Sequence, residues 1–267
     1  MLAQQRQTLI LDLVQRDGAA RVSDLVAQFQ VSDMTIRRDL DVLARRGVLD
    51  KVHGGATVPM AGSTDEPGFA EKSLREQVEK QAIAHAAASL VRPGQAVGLS
   101  AGTTTWTLAH VLLDVGGLTV VTNSPPVAEV FHTAGQTDQT VILTGGMRTP
   151  SDALVGPVAV GSLASINLDT VFLGTHGMDV RSGFSTPNFL EADTNRALIR
   201  AARRLVVVAD HTKWGVVGIA TVAPLQQADV LVSDPGLGRD ARLRLGEHVD
   251  ELLLTDQVEG ETRHREC

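Results

Sequence analysis

The sequence is short of cysteine and of long apolar runs. Among 267 residues the single cysteine is Cys267, the last residue. No disulfide can therefore form within one chain, and we expect a reducing compartment, the cytoplasm. No stretch approaches 18 uninterrupted apolar residues, so we expect no membrane span. The start, MLAQQRQTLI, lacks a basic segment followed by an apolar one, so we expect no secretory signal peptide.

Patterns typical of metal and nucleotide sites are also missing. The eight histidines are scattered, and the H-E-x-x-H pattern of zinc hydrolases is absent. The turn at residues 100–105, SAGTTT, matches neither the G-x-x-x-x-G-K-[ST] loop nor the G-x-G-x-x-G fingerprint of nucleotide-binding folds. We therefore expect neither a bound metal nor a cofactor.

The formal net charge of −7 is unevenly distributed along the chain. Residues 1–56 contain eight Lys/Arg and seven Asp/Glu, whereas the rest of the chain contains 16 and 24. Four of the eight basic side chains lie within ten residues, namely Arg37, Arg38, Arg45 and Arg46. Because DNA phosphates repel an acidic surface, we expect this basic feature to belong to a separate module that binds nucleic acid.

The first 57 residues have the order of a winged helix-turn-helix. Apolar residues recur at helical spacing in residues 4–16, and Ser32 is a plausible N-cap for a later helix. That helix, SDMTIRRDLDVLARRG, would bury Ile36, Leu40 and Leu43. The segment VLDKVHGGATV then predicts two short strands joined by a His-Gly-Gly turn, which would form the wing.

The helix that begins at Ser32 carries the expected DNA-reading side chains. In this fold its N-terminal residues enter the major groove, where Arg forks onto guanine or phosphate and Thr or Met contacts thymine methyl groups. The wing would reach the DNA backbone or minor groove, and its glycines would allow a tight turn and a close approach. The predicted DNA-contacting residues are Ser32, Asp33, Met34, Thr35, Arg37, Arg38, Lys51, His53, Gly54 and Gly55.

The remainder of the chain predicts a larger α/β domain at residues 75–254. Residues 58–74 are rich in Pro, Gly, Ser and charge, which is typical of a linker, and residues 255–267 are expected to form a disordered tail. Apolar segments alternate with helical patterns, which favours a mostly parallel sheet with helices on its faces. The fold class is thus an α+β winged helix-turn-helix domain, residues 1–57, followed by an α/β domain. The predicted strands are 96–99, 118–122, 140–144, 169–174, 204–210, 229–234 and 251–254.

Polar or glycine-rich segments follow several of these strands. The carboxyl ends of parallel strands share one edge, so these segments should line one crevice. Hydroxyls and N–H groups at a helix start, together with Lys213, suit a phosphate, and Asn123 and Asp210 could hold sugar hydroxyls. The predicted ligand residues are Ser100, Ala101, Gly102, Thr103, Thr104, Thr105, Thr122, Asn123, Ser124, Gly145, Gly146, His176, Asp210 and Lys213.

Two sets of motifs resemble one protein family. VSDMTIRRDL, followed by HGGA, resembles the DNA-binding signature of the DeoR family of bacterial repressors. The segments GTTT, VTNS, TGG, FLGTHGMD, EADTNRALIRAA and DHTKWG resemble that family's effector domain, which is similar in fold to ribose-5-phosphate isomerase and the CoA-transferases. The resemblance covers roughly residues 6–234. It implies a repressor of sugar-catabolism genes whose binding to a double-stranded DNA operator is controlled by a phosphorylated sugar.

Three positions within the family motifs need a separate interpretation. Family members commonly carry Asp where this chain has Ser100, so the chain lacks a carboxylate there that could fix a sugar hydroxyl. His176 often corresponds to a small residue in relatives, and it is either a ligand contact or a packed loop residue. Asp39 is expected to pair with a nearby Arg or to cap local structure rather than to read a base.

A sugar-phosphate isomerase is the alternative interpretation. That chemistry needs an acid and a base around a carbonyl, and the candidates are Asp179, Glu191, Asp193, Asp210 and Lys213. The isomerase pattern D-G-A-D-E is absent, and an isomerase would have no use for a DNA reader, so we expect no catalysis. Because the DNA-reading unit is small and weakly charged, we expect a homodimer or homotetramer that reads repeated half-sites.

Overall fold

The chain divides into two compact units, residues 1–62 and residues 63–267, and each unit has its own hydrophobic core. Among the described residues, no helix is long and apolar enough to cross a membrane. The structure is a computed structural model, and it describes residues 2–17, 19–45, 48–52, 54–57, 64, 66, 68–135 and 137–256.

The first unit is a winged helix-turn-helix. Residues 55–57 form a strand that pairs antiparallel with residues 50–52, its partner in the wing, and with residues 19–21. The wing is therefore joined to a short strand that precedes the second helix. That short strand was not predicted, because three residues are too few to show a period. Ser32 is the predicted cap, since its Oγ accepts a hydrogen bond from Thr35 N over 3.2 Å. The elements are α1 (Ala3–Asp17), β1 (Ala19–Arg21), α2 (Val22–Phe29), α3 (Asp33–Arg45), β2 (Asp50–Val52) and β3 (Gly55–Thr57).

A buried ion pair joins α1 to α3. Arg6 Nε donates to Asp39 Oδ2 over 2.6 Å, and Gln7 Nε2 donates to Asp39 Oδ1 over 2.8 Å. The side chains of Arg6 and Asp39 are only 9% and 4% exposed. Asp39 lies on the same buried face as Ile36 and Leu40. The expectation that Asp39 pairs with an Arg inside the fold is therefore confirmed.

We predict that Asp39→Ala strongly destabilises the first unit, because it leaves the Arg6 guanidinium buried without its partner. Removing one member of a buried ion pair costs about 3–5 kcal/mol. The exposed pair between Asp33 and Arg37 offers a control, and Asp33→Ala should cost less than about 1 kcal/mol. Urea unfolding of the full chain, followed by circular dichroism, measures both variants. Equal losses in the free energy of unfolding would contradict the assignment.

The second unit contains seven α-helices and twelve strands within its described residues. Short 3₁₀ turns at His211–Lys213 and Leu225–Gln227 complete it. In chain order the elements are α4 (Phe69–Ser73), α5 (Gln77–Ala88), β4 (Ala96–Leu99), α6 (Thr103–Leu112), β5 (Thr119–Thr122), α7 (Pro125–Ala134), β6 (Thr140–Leu143), β7 (Met147–Arg148), β8 (Leu154–Val155), α8 (Pro157–Leu163), β9 (Thr170–Gly174), β10 (Gly177–Asp179), β11 (Gly183–Thr186), α9 (Phe189–Ala201), β12 (Leu205–Val208), β13 (Ala220–Ala223), β14 (Val230–Ser233), α10 (Arg239–Gly246) and β15 (Leu252–Leu254).

Seven strands form the central sheet, in the order β15-β14-β12-β9-β4-β5-β6. Every neighbouring pair in this sheet is parallel. All seven strands predicted from the sequence are members of it, so the predicted parallel sheet is confirmed. Strand β10 pairs with β11 and β11 with β13 in a smaller antiparallel sheet, and β7 pairs with β8.

The central sheet buries both of its faces. Alternate side chains of one strand enter different cores: Phe172 packs with Val97 and Leu108 on one face, whereas Val171 and Leu173 pack on the other. This alternation follows from the two-residue period of a strand. Burial on both faces explains why the strands read as continuous apolar runs in the sequence.

The chain reverses its direction of winding between β4 and β9. Strands β4, β5 and β6 extend to one side of the sheet, and β9, β12, β14 and β15 extend to the other. Neighbouring β4 and β9 therefore form the switch point, where the loops after the two strands diverge and leave a crevice. The segments after these two strands are residues 100–102 and 175–176.

Several sequence predictions need correction or lie outside the described part of the chain. The predicted linker, residues 58–74, contains helix α4, so the linker prediction was too long at that end. Strands β7, β8, β10, β11 and β13 and helix α10 were missed; the strands have only two to four residues, and α10 buries only Ala241 and Leu245. Most of the predicted tail, from residue 257 onward, lies outside the described residues.

Candidate functional site

The outward face of α3 presents most of the predicted DNA-reading side chains. Met34 is 79% exposed, which is unusual for a large apolar side chain and suits contact with thymine methyl groups. Thr35 is half-buried, and its hydroxyl is within 2.8 Å of the Ser32 hydroxyl. The exposed members of the predicted set on this face are Ser32, Asp33, Met34, Arg37 and Arg38.

The basic side chains near α3 differ in their ion pairs. Arg37 Nε donates to Asp33 Oδ1, and Lys51 Nζ donates to Asp41 Oδ1, each over 2.5 Å. Both pairs are exposed, so each cation can exchange its carboxylate for a DNA phosphate at little cost. Arg38 is exposed and has no ion pair with any described residue. Arg38 is thus the most readily available cation of the predicted set.

The two glycines of the wing have different roles. Gly54 is exposed at the turn with a φ of +81°, and nothing lies within 4 Å of the position of a Cβ. Gly55 is buried, and a Cβ there would lie 2.4 Å from the carbonyl oxygen of Ala20. Gly55 is therefore needed for packing against β1, and its predicted contact with DNA stays a prediction. His53, also a predicted contact, lies outside the described residues.

We predict that Arg38→Ala weakens binding to operator DNA by about 1–3 kcal/mol if Arg38 forks onto guanine. Arg37→Ala should weaken operator binding less, because Arg37 must break its ion pair with Asp33 before it can contact DNA. Arg244→Ala is the control, since Arg244 pairs with Asp240 in the same exposed i,i+4 arrangement within the second unit. Fluorescence anisotropy with labelled operator measures the affinities. Unchanged affinity in both Arg37 and Arg38 variants would contradict this assignment.

The turn between β4 and α6 forms a cradle at the switch point. Gly102 precedes α6 with a φ of +145°, a conformation that favours glycine, and no side chain caps the helix. The hydroxyls of Thr103 and Thr104 have no hydrogen-bond partner among the described residues, whereas Thr105 Oγ1 donates to Ser100 O over 2.7 Å. The free N–H groups of the first turn and two hydroxyls can together hold an anion.

Other predicted ligand residues use their polar groups to hold neighbouring loops together. Ser100 is fully buried, and its Oγ accepts a hydrogen bond from Gly174 N over 3.0 Å, which joins the loop after β4 to the end of β9. Asn123 accepts from Ala101 N over 2.9 Å and donates to Leu154 O over 3.1 Å. Thr122 donates to Leu99 O, and Ser124 caps α7. These four side chains therefore hold the loops beside the crevice in position.

The glycine pair after β6 supports a tight hairpin. Gly145 and Gly146 have φ angles of +73° and +121°, and a Cβ on Gly146 would lie 2.5 Å from Val155 O. The pair therefore allows β7 to approach β8. His176 is half-buried in the loop between β9 and β10, on the same edge as the cradle.

The loop after β12 provides both charges of the predicted set. Asp210 is fully buried, and its Oδ1 accepts from Thr212 N over 3.1 Å. Its Oδ2 has no hydrogen-bond partner among the described residues and lies 3.8 Å from Lys213 Nζ. A buried carboxylate oxygen without a hydrogen bond is costly, and a ligand hydroxyl could satisfy it.

Next to this loop, His211 pairs with Asp234. His211 Nδ1 is 2.9 Å from Asp234 Oδ2, and His211 N donates to Asp234 Oδ1 over 2.7 Å. This hydrogen bond raises the pKa of His211, although partial burial acts in the opposite direction. The pair fixes the loop that carries Asp210 and Lys213 to the end of β14. No group of three or more His, Cys, Asp or Glu side chains in the described part of the chain is arranged to hold a metal ion.

A second polar cluster was not predicted from the sequence. Glu66 accepts hydrogen bonds from Ser151 Oγ over 2.8 Å and from Asn188 Nδ2 over 3.1 Å. Glu191 accepts from Thr149 Oγ1 over 2.8 Å, and burial raises the pKa of Glu191. The sequence offered no signal for this cluster, because its members are far apart in the chain and Glu66 lies in a segment with the composition of a linker.

A groove of about 550 Å³ runs between α5 and α6. Thr103 of the cradle and Lys80 line the groove together with Trp106. Lys80 is only 4% exposed, and its Nζ donates to the carbonyl oxygens of Lys72 and Arg75 over 2.7 and 2.5 Å. Thr103 of the cradle therefore shares this groove with Lys80, a buried cation that was not among the ligand residues predicted from the sequence.

Two family profiles match the chain. The family described as "DeoR-like helix-turn-helix domain" matches residues 6–61, and the one described as "DeoR C terminal sensor domain" matches residues 75–235. The chain belongs to the DeoR family of transcriptional regulators. The predicted family and the order of its two folds are thereby confirmed.

Individual proteins show the same similarity. The HTH-type transcriptional regulator GlpR of Haloferax volcanii is 37% identical over 91% of this chain and 94% of its own length. The glycerol-3-phosphate regulon repressor of Escherichia coli is 31% identical over 86% of this chain and 90% of its own length. Among solved structures, ribose 5-phosphate isomerase A from Neisseria gonorrhoeae is 15% identical, with a TM-score of 0.37 over 51% of this chain and 52% of the isomerase. The prediction of a DNA-binding transcriptional regulator is confirmed by the family.

Proposed function

We propose that this DeoR-family regulator represses genes of sugar catabolism and that a phosphorylated sugar controls its binding to operator DNA. The observation that carries the proposal is the helix start at Thr103, which has no side-chain cap, together with Lys213 on the same sheet edge. The hydroxyls of Thr103 and Thr104 add two donors without a partner among the described residues. N–H groups at a helix N-terminus and an ammonium group both favour a phosphate. A relative named as a glycerol-3-phosphate regulon repressor supports a phosphorylated effector. The protein would act in the cytoplasm, where both DNA and phosphorylated sugars occur.

Asp210 is our candidate for the residue that recognises the sugar hydroxyls. Its Oδ2 is buried and lacks a hydrogen bond among the described residues, so a sugar hydroxyl that donates to this oxygen would remove an energetic cost. The family resemblance implies a carboxylate at the position of Ser100, whose hydroxyl here accepts from Gly174 N, and we propose that Asp210 supplies a carboxylate instead. The proposed effector contacts are therefore Thr103, Thr104, Asp210 and Lys213, with the adjoining backbone.

We propose that the protein is not an enzyme. Two of the five acid–base candidates have other tasks: Asp179 accepts from two N–H groups of the β10–β11 turn, and Asp193 pairs with Arg196 on the surface. Glu191 accepts hydrogen bonds from Thr149 and Thr186. A general base needs a free lone pair within reach of the substrate proton, and these three carboxylates already accept hydrogen bonds or pair with a cation. Asp210 keeps one oxygen without a hydrogen bond among the described residues, and we assign that oxygen to a sugar hydroxyl. Turnover of a bound sugar phosphate, followed by nuclear magnetic resonance, would contradict this proposal.

We predict that sugar phosphates stabilise the protein and weaken its binding to operator DNA, and that Lys213→Ala abolishes both effects while operator affinity without ligand stays intact. Lys213 supplies a charge to the phosphate and belongs to a different unit from α3. The measurement is thermal unfolding and operator anisotropy with glycerol 3-phosphate, fructose 1-phosphate and glucose 6-phosphate. Arg200→Ala, which removes an exposed cation of α9, is the control. If no sugar phosphate has an effect on the wild type, the sensor proposal fails.

We also propose a homo-oligomer, a dimer or tetramer, that reads repeated half-sites. Strand β6 is an edge strand of the seven-stranded sheet, and apolar side chains are exposed on it and beside it. An exposed edge strand with apolar side chains is a common site of association. The exposed side chains are Ile142, Leu143, Met147 and Val158.

We predict that Ile142→Lys shifts the protein toward its monomer mass of 28.3 kDa and weakens operator binding, because it places a charge at this edge. Leu243→Lys provides a matched control, since Leu243 is also apolar and 61% exposed but lies on α10. Sedimentation velocity measures the mass of each variant. A wild-type protein that sediments as a monomer at every concentration would rule out the oligomer.

A further inference from the structure

A short segment leads from the first unit into the second and is fastened beside the proposed effector crevice. We name this segment the strap; it consists of Glu66 and residues 68–75. Phe69 N donates to Pro150 O over 3.3 Å, and the Phe69 ring packs edge-on against Trp106 of α6 with ring centroids 6.1 Å apart. Glu66 is held by Ser151 and Asn188. The strap thus contacts both α6, the helix of the cradle, and the residues Pro150, Ser151 and Asn188.

Lys72 is the cation that the strap contributes to this region. Its Nζ donates to Ser151 Oγ over 3.0 Å, and it forms no ion pair within 4 Å with any carboxylate in the described part of the chain. Ser151 in turn donates to Glu66, so one chain of hydrogen bonds links Lys72, Ser151 and Glu66. The half-buried ammonium group of Lys72 therefore has a neutral hydroxyl as its hydrogen-bond partner, and no carboxylate in the described part of the chain lies within 4 Å of it.

The strap lies beside the groove that Thr103 of the cradle lines, because Lys80 of that groove donates to the carbonyl oxygens of Lys72 and Arg75. Burial lowers the pKa of Lys72, the carboxylates of Glu191 and Glu66 raise it, and the ammonium group of Lys213 lowers it further. Burial also lowers the pKa of Lys80. The carboxylate of Asp210 raises this pKa, and the ammonium group of Lys213 lowers it. The ammonium group of Lys213 thus acts on the pKa of both Lys72 and Lys80 in the same direction, which agrees with the placement of the strap beside the groove. Like charges that are partly removed from water repel each other, and an anion placed between them relieves the repulsion.

We propose that Lys72 binds the phosphate of the effector together with Lys213, and that Lys72 thereby transmits occupancy of the crevice to the segment that leads to the DNA-reading unit. This inference rests on the function proposed above. When Lys72 turns from the Ser151 hydroxyl to a phosphate oxygen, the hydrogen-bonded chain through Ser151 to Glu66 is rearranged. The strap is then held by the ligand as well as by the protein. Lys80 keeps a structural part, since its Nζ already donates to two carbonyl oxygens of the strap.

The test is calorimetric titration of the full-length protein with glycerol 3-phosphate, fructose 1-phosphate and inorganic phosphate. Lys72→Gln removes the charge but keeps a donor for Ser151, and we expect it to weaken binding of these phosphates by about 10- to 100-fold. Lys72→Arg keeps the charge and should restore most of the affinity. Arg75→Met is the matched control, because Arg75 is an exposed cation of the same strap that pairs with Glu71, and it should leave phosphate affinity unchanged.

The outcomes separate this inference from the function on which it rests. Lys72→Gln could bind the phosphates as tightly as the wild type while Lys213→Ala does not. In that case Lys72 only stabilises the position of the strap, the inference is wrong, and the proposed function stands. If the wild type binds none of the phosphates, both the proposed function and the role of Lys72 are wrong. Should Lys72→Gln melt well below the wild type, Lys72→Met and Lys72→Arg are compared instead, and equal phosphate affinity of these two variants overturns the inference.

Discussion

The parallel direction of the seven central strands is the constraint on which the rest of the second unit depends. Parallel strands need a crossover after each strand, so helices cover both faces and every crossover begins at the same edge. The loops after β4, β9 and β12 consequently meet, although their residues are more than 30 positions apart in the chain. The Ser100–Gly174 hydrogen bond joins the loop after β4 to the end of β9, and the His211–Asp234 pair fixes the loop after β12. The proposed contacts that follow central strands are thus brought together by the sheet, and Lys72 of the strap joins them from outside it.

The first unit depends on a different kind of interaction. Its core is small, and the buried pair of Arg6 and Asp39 holds α1 against the helix that carries the DNA-reading face. This pair orients α3 from its buried side and leaves Arg37 and Arg38 on the exposed side. We propose that a ligand in the second unit acts through the chain that connects the two units. A coupling of about 1–3 kcal/mol is enough to change affinity about 5- to 150-fold.

The sequence predicts most of this architecture, because helical and strand periods are local properties. The central strands could be predicted, and the edge on which their polar segments converge follows from their parallel direction. The tasks of individual side chains could not be predicted in the same way. Ser100, Asn123 and Gly55 have the right chemistry for ligand or DNA contacts, yet each is used in packing or in a loop bridge, which depends on a partner distant in the sequence. Lys72 was missed for the opposite reason, because its segment has the composition of a linker and gains its contacts only from residues near 150 and 190.

The central claim is that the crevice and the DNA-reading face are thermodynamically coupled. The most direct test is a closed cycle of four affinities: operator DNA with and without saturating effector, and effector with and without saturating operator. The factor by which the effector changes operator affinity must equal the factor by which operator changes effector affinity. We expect a common factor of about 5 to 150 in both directions. An effector that binds in the crevice with the same affinity in the presence and absence of operator would contradict the account.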